Sequence, residues 1–280
     1  MSRLAPREWK LSPRPLVVAH RGGAELGLQN SLLTMQNASQ MGVDVIETDV
    51  RATKDGVAVL LHDPNLYAVC GRLDLLSSLT WEEASKIELK DGSRLVRLDD
   101  MLQAFPEMVF NIDAKENAVV DSLVKAIISG GAQDRVCIAS FSHRRMLRIR
   151  SLFAGKVATS LSPFEILRAL SGTYFLGKIR DEEDALVVDK AERSRLRRLI
   201  LGREDESVVA AQVPLRFKDR IPVVGDRFNS FVHAADFQVQ AWTINEAAEL
   251  DSLLNADSSR AKRVDAVITD APDIALSLRP

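Results

Sequence analysis

The chain has 280 residues, 46% of them hydrophobic, enough to bury a full core in one large domain or two small ones. Its 37 basic residues are offset by 39 acidic ones, a formal net charge of −2, so no overall basic field points to nucleic acid and an anionic ligand has to be held by local charge. Two cysteines without a motif give no disulfide framework, and Met1 to Pro15, with its charges and three prolines, lacks the apolar stretch of a secretory signal or membrane span. Both features point to a cytoplasmic protein.

In chain order, residues 1–14 read as a surface arm before an apolar strand at about 15–19, which stops at His20-Arg21-Gly22-Gly23, where the glycines permit a tight turn. A helix is expected from Asn30, as N-cap, to about Met41, with Leu33, Met35, Asn37 and Ala38 near one side and Gly42 as its stop. Val43 to Val50 is a second strand, Lys54-Asp55-Gly56 a turn, and Val57 to Leu61 a short return strand ending at His62. Residues 64–98 form an inserted connection with a capping box at Thr80-Trp81-Glu82-Glu83. Long connections on such scaffolds often cover sites.

Strand and helix patterns then alternate: Met108 to Ile112, ending at Asp113; a helix Ala118 to Ile128 stopped at Gly130-Gly131; Arg135 to Ala139; a basic helix His143 to Phe153; Val157 to Thr159; and a helix Pro163 to Leu170. Residues 171–207 are less regular, with acidic Asp181-Glu182-Glu183-Asp184 followed by an Arg-rich stretch from Lys190 to Arg203 that reads as a solvated amphipathic helix. The alternation resumes with Val208 to Pro214, a helix around Phe228 to Ala235, Gln238 to Thr243, a helix Glu246 to Leu254, Val264 to Ile268 and a terminal helix. The pattern implies a parallel sheet, doubly wound or closed, and eight strands is the number that closes a (β/α)8 TIM barrel. Residues 15–280 are therefore read as a single barrel domain, with the 64–98 insertion following its second strand. Cys137, within Val136-Cys137-Ile138, reads as a small buried thiol, and His143 and His233, on helices, as structural.

Chemistry concentrates at strand ends. Glu47 and Asp49, two apart on an otherwise apolar strand, share a face, and their carboxylates repel and resist desolvation unless a cation or shared proton compensates. A hard divalent ion is the simplest compensation. Oxygen ligands without a Cys or His set favour Mg²⁺ or Ca²⁺, with Mn²⁺ as a third candidate. His20 and His62, from neighbouring strand ends, would supply the general acid and base.

His20-Arg21-Gly22, Asn30-Ser31, Glu47-x-Asp49, Thr53-Lys54-Asp55-Gly56 and His62-Asp63 together resemble the signature of the glycerophosphodiester phosphodiesterase family. The resemblance continues through Asn111-Ile112-Asp113-Ala114-Lys115, Ser140-Phe141, Ala241-Trp242-Thr243-Ile244-Asn245 and Ile268-Thr269-Asp270-Ala271-Pro272, so the ordered matches span about residues 16 to 275. The chain departs from the family where Leu28-Gln29-Asn30-Ser31 replaces Pro-Glu-Asn-Thr, and where Asp113 stands at a position more often Glu.

The resemblance implies hydrolysis of a glycerophosphodiester, a deacylated phospholipid, to sn-glycerol 3-phosphate and an alcohol. It implies one metal held by Glu47, Asp49 and Asp113, with Arg21 and Lys115 on the phosphate and Trp242 against the glycerol or alcohol. Ser140 is a weaker candidate for substrate contact. Alternatives are a lysophospholipase D-like activity, which needs an apolar groove, and a catalytically weak barrel that only binds phosphate.

Overall fold

The computed structural model describes residues 4–175, 188–217, 220–256 and 263–279. The acidic run 181–184 lies outside them. Eight parallel strands close on themselves: β1 Leu16–Ala19, β2 Val45–Ala52, β3 Phe110–Ala114, β4 Val136–Ala139, β5 Ala158–Ser160, β6 Val208–Pro214, β7 Gln238–Trp242 and β8 Ala266–Thr269. Each pairs with the next from β2 to β8, and β1 joins the ends, with Leu16–Ala19 in register on Ala266–Thr269 and Val18–Ala19 on Val45–Ile46. Helices connect the strands, giving the expected (β/α)8 TIM barrel.

These segments form strands because both of their faces are covered. Outward residues such as Val17, Ile46, Phe110 and Ile112 meet the helices in the larger apolar cluster, while Leu16, Val18, Val45, Val109, Cys137, Ala158, Ala266 and Ile268 pack together inside the barrel. Part of the expected surface arm is buried. Residues Pro6–Leu11 form a 3₁₀ turn whose Trp9, 1% exposed, joins the inner cluster, adding an apolar plug that a charged, proline-bearing segment did not advertise. Gln238 donates to the Pro6 carbonyl (3.1 Å), tying the plug to the barrel lining.

The helix after β1 runs Leu32–Met41 and is capped by Ser31, which accepts from the Thr34 amide, rather than by Asn30. Its buried side is Thr34, Met35 and Ala38; Leu33, expected on the same side as Met35 and Ala38, is exposed. Ala58–Leu60 returns antiparallel to β2. The 64–98 connection has its own small core of Leu66, Val69, Leu76, Ala84, Ile87, Leu89 and Leu95, and the Thr80–Glu83 capping box forms as expected. The Arg-rich helix, Lys190–Leu201, is solvated on one side and buries Leu196, Ile200 and Leu201 on the other. Among the described residues no helix is long and apolar enough to cross a membrane.

Candidate active site

The strands bring the singled-out side chains to their C-terminal ends. Alternation puts Val45, Glu47 and Asp49 of β2 on the inner side, and the register sets Glu47 beside Asn111 and Asp49 beside Asp113 of β3. After β1 the chain turns sharply. Arg21 and Asn30 adopt left-handed backbone angles (φ 52° and 59°), and the Asn30 amide donates to the Arg21 carbonyl (2.9 Å), closing the loop. Gly23 (φ +95°) lies so close to Pro272 that a Cβ there would stand 2.9 Å from its Cγ. Such local strain is stored where surrounding contacts hold it, commonly at functional sites.

His20 is fixed from both ends of the chain. Its Nδ1 donates to Asp270 Oδ1 (2.7 Å), and its Nε2 faces Glu47 Oε2 at 3.8 Å. Asp270 is itself held by Asn245, whose side-chain amide donates to Oδ2 (2.8 Å) and whose Oδ1 accepts from the Asp270 amide (2.9 Å). Burial of the ring works to lower its pKa, but the Glu47 and Asp270 carboxylates outweigh it and raise the value above 6.5. His62 ends the return strand. Its Nδ1 donates to Asp63 Oδ1 (2.8 Å), and its carbonyl accepts from Arg51 Nε (2.8 Å), Arg51 being paired with Glu116 (2.9 Å). Partial burial lowers the His62 pKa; Asp49 and Asp63 oppose this, while Lys115 and Arg21 add to it.

The acids differ in how fully they are neutralised. Asp49, 1% exposed, meets Lys115 Nζ at 2.7 Å on Oδ1, and Arg21 Nε (3.3 Å) and Asn30 Nδ2 (3.2 Å) on Oδ2. Burial alone would raise its pKa; Lys115 and Arg21 reverse that and hold it below the ordinary carboxylate value. Glu47 accepts the Arg21 amide (2.9 Å), yet burial and the Asp49 charge push it up to about 7. Asp113 takes Lys115 Nζ on Oδ2 (2.7 Å), but its buried Oδ1 has no hydrogen-bond donor among the described residues, and burial pushes its pKa up. Burial disfavours the Lys115 ammonium, but Asp113 and Asp49 overcome this and raise its pKa.

The three acids expected to ligate a metal thus lie close together without surrounding a single point. Among the described residues no group of three or more His, Cys, Asp or Glu side chains is spaced as a metal cage. Lys115 stands between Asp49 and Asp113, while Glu47 turns toward His20 and the Arg21 amide. The donor chemistry nevertheless fits a hard divalent cation. Burial disfavours the ionised form of Glu47 and Asp113 more than the neighbouring cations favour it, a balance that a bound cation would shift, and Asp113 Oδ1 is an orphaned oxygen.

Trp242 is half-buried at the end of β7 and meets Phe141 edge-on (5.7 Å between ring centres), with Lys115 Nζ 5.5 Å from the Phe141 ring. Gln29 keeps a hydrogen-bonding role without a charge, accepting from Arg21 Nη1 (2.7 Å). Ser140 is not turned to a ligand: it donates to the Ala114 carbonyl (2.7 Å) and accepts from Arg145 Nη1 (2.8 Å). His143 bonds to Ser162 (2.8 Å) and His233 to Asp265 (2.7 Å). Sequence reasoning gave no part in the site to Asp270, Asn245, Arg51 or Glu116, and read Asn30 only as a helix cap. The first two stand in quoted motifs at the end of β8 and just after β7, a place where an acid or amide signals a site.

The profile of the glycerophosphoryl diester phosphodiesterase family matches residues 20–274. A Mycobacterium tuberculosis protein named "probable glycerophosphodiester phosphodiesterase 2" is 34% identical over 260 residues, 92% of this chain and 88% of that protein. The mouse protein named lysophospholipase D GDPD1 is 35% identical over 114 residues, 36% of each chain. The structure of an Oleispira antarctica phosphodiesterase in complex with the product sn-glycerol-3-phosphate superposes with a TM-score of 0.71 at 20% identity, over 96% of this chain and 98% of that one.

Proposed function

Because the chain belongs to the glycerophosphoryl diester phosphodiesterase family, and is thereby a phosphoric diester hydrolase, we propose that it cleaves glycerophosphodiesters to sn-glycerol 3-phosphate and an alcohol at the mouth of its barrel. The observation that carries this reading is the pair of histidines set about a buried carboxylate–cation cluster, each with Nδ1 bonded to its own aspartate. That bond fixes the tautomer and leaves Nε2 as the working nitrogen.

Attack on a phosphodiester builds negative charge on the phosphoryl oxygens, and Arg21 and Lys115 are the cations placed to meet it. One histidine takes the proton of the attacking hydroxyl while the other gives a proton to the departing alkoxide. Where the glycerol hydroxyl is the attacking group, a cyclic phosphate forms, and the two histidines exchange roles when water opens it. Each ring is then used once as base and once as acid. Trp242 and Phe141 offer apolar edges for the glycerol carbons. Asp270, braced by Asn245, holds His20, and the Arg51–Glu116 pair holds the backbone of His62.

Glu47, Asp49 and Asp113 would hold one divalent cation, Mg²⁺ or Ca²⁺ with Mn²⁺ as the third candidate, and it would supply Lewis-acid charge toward the phosphate. The substrate is a small molecule, and two free thiols, Cys70 and buried Cys137, are in keeping with a cytoplasmic location. The test is release of glycerol 3-phosphate from a panel of glycerophosphodiesters and lysophospholipids, with EDTA and with each metal restored. Turnover of the diesters that EDTA abolishes and a divalent ion restores is the expected result. Cleavage of lysophospholipids alone would replace this reading with a lysophospholipase D, and silence on both would leave a binding barrel.

A further inference from the structure

A row of side-chain amides crosses the barrel interior below the reacting groups. Gln238 Nε2 donates to the Pro6 carbonyl of the plug (3.1 Å) and Gln240 Nε2 to Gln238 Oε1 (3.1 Å), while Gln212 Nε2 donates both to Gln240 Oε1 (2.9 Å) and to Asn111 Oδ1 (3.0 Å). Because Pro6 offers only an acceptor, every glutamine in the row is turned the same way, and both amide hydrogens of Gln212 are spent. Two atoms are left over at the far end. Gln212 Oε1 is an acceptor and Asn111 Nδ2 a donor, and neither makes a hydrogen bond among the described residues. Asn111 is 2% exposed, and a buried amide with an idle donor is an exception that calls for a partner.

We propose that these two atoms bind the terminal hydroxyl of the glycerol moiety, the one that takes no part in the reaction, and that Gln212 thereby selects a deacylated substrate; this rests on the diester-hydrolase reading above. A hydroxyl donates and accepts at one oxygen, which matches an acceptor and a donor set side by side. The depth agrees. Asn111 is level with Glu47, and Gln212 with Gln240, one inward position and about 6–7 Å deeper than Trp242. Asp113 and Lys115 follow Asn111 toward the mouth, so a glycerol reaching inward from a phosphate at their level points at the amides. Gln212 is only partly buried, whereas Asn111 and Gln240 are buried, so the row meets open space at Gln212. Below it, Trp9, Val18, Val45 and Ala210 are buried against one another, which makes the floor closed. An acyl group on the terminal oxygen removes the hydrogen that Gln212 would accept, and finds no channel to enter.

The test assays the full chain, wild type and Gln212→Met, with divalent cation present. The substrates are the best-cleaved diester of the panel above and its propane-1,2-diol analogue, which lacks the terminal hydroxyl but keeps the middle one. Wild type is expected to favour the glycerol diester in kcat/KM by about 5- to 150-fold, the range for leaving buried polar groups unpaired. In Gln212→Met that preference should shrink by about 2- to 12-fold, the range of one neutral hydrogen bond. Equal turnover of the two by wild type, or an unchanged preference in Gln212→Met, overturns the hydroxyl assignment while leaving diester hydrolysis standing. Cleavage of a 1-acyl lysophospholipid as fast as the diester does the same. Should Gln212→Met fail to fold, the wild-type comparison decides alone. If no diester is turned over, the parent reading fails, and titration of wild type with sn-glycerol 3-phosphate and with propane-1,2-diol phosphate decides the floor separately. Failure to bind the former more tightly overturns the floor as well.

Discussion

Two clusters of buried charge lie in this barrel, one complete and the other not. Arg150 and Glu165, each 1% exposed in its side chain, form a two-pronged pair (2.7 and 2.9 Å). Arg150 also donates to Thr159 Oγ1 and the Ser160 carbonyl, and Glu165 accepts the Ser162 amide and hydroxyl. Burial would raise the Glu165 pKa, but Arg150 and Ser162 bring it below the ordinary value. At the mouth, by contrast, Glu47 is pushed up to about 7 and Asp113 keeps an oxygen without a donor. The Arg150–Glu165 charges are satisfied by the fold itself, whereas those of Glu47 and Asp113 are met by it only in part.

Substitutions should separate the two clusters. The largest effect on turnover is expected from His20→Ala, a loss of about 10²- to 10⁴-fold in glycerol 3-phosphate release with little change in melting temperature. Glu47→Gln should lower kcat by on the order of 10²- to 10³-fold while leaving metal-free thermal stability at or above wild type, because it removes an uncompensated charge. Loss of stability in that variant would erase the distinction between the clusters. Glu165→Gln should behave in the opposite sense, costing about 3–5 kcal/mol by leaving Arg150 buried without its partner, with kcat of the surviving folded fraction near wild type.

That pair also sets a pH dependence. The folded pKa of Glu165 lies below its unfolded value, so its contribution is fully present above about pH 4.5 and is lost as pH falls through the folded pKa. Urea unfolding from pH 7 to pH 3 should therefore show a steeper acid loss in wild type than in Glu165→Gln. The smallest effect is expected from Ser140→Ala. Losing its bonds to Ala114 and Arg145 should cost about 1 kcal/mol in denaturant titration, and a large fall in kcat would instead return Ser140 to the substrate.

The barrel was legible because strands covered on both faces read as continuous apolar runs, two of which visibly stopped at His20 and Asp113. Glu47 and Asp49 were legible for the opposite reason, as charges inside a run that had no room for them. What stayed hidden depends on contacts distant in sequence. Nothing local distinguishes Trp9 as a barrel plug, or predicts that Lys115 stands between two acids rather than beside one. Asn30 looked like a helix cap because its residue type suits one; its side chain instead serves Asp49 and accepts from Thr48 Oγ1 (2.8 Å), leaving the cap to Ser31. Ser140 was ambiguous because a hydroxyl at a strand end has the same sequence signature whether it faces a ligand or, as here, donates to a carbonyl.

The bond between His20 and Asp270 joins residues 250 positions apart, from just past the first strand and just past the last. During synthesis the first histidine is made early, but the carboxylate that orients it emerges only when β8 is complete and can slot between β1 and β7. Partly built barrels therefore have the His20 ring without its brace. Recovery of phosphodiesterase activity on refolding should lag the recovery of helical signal and coincide with ring closure, which makes catalysis itself a reporter of the final topological step.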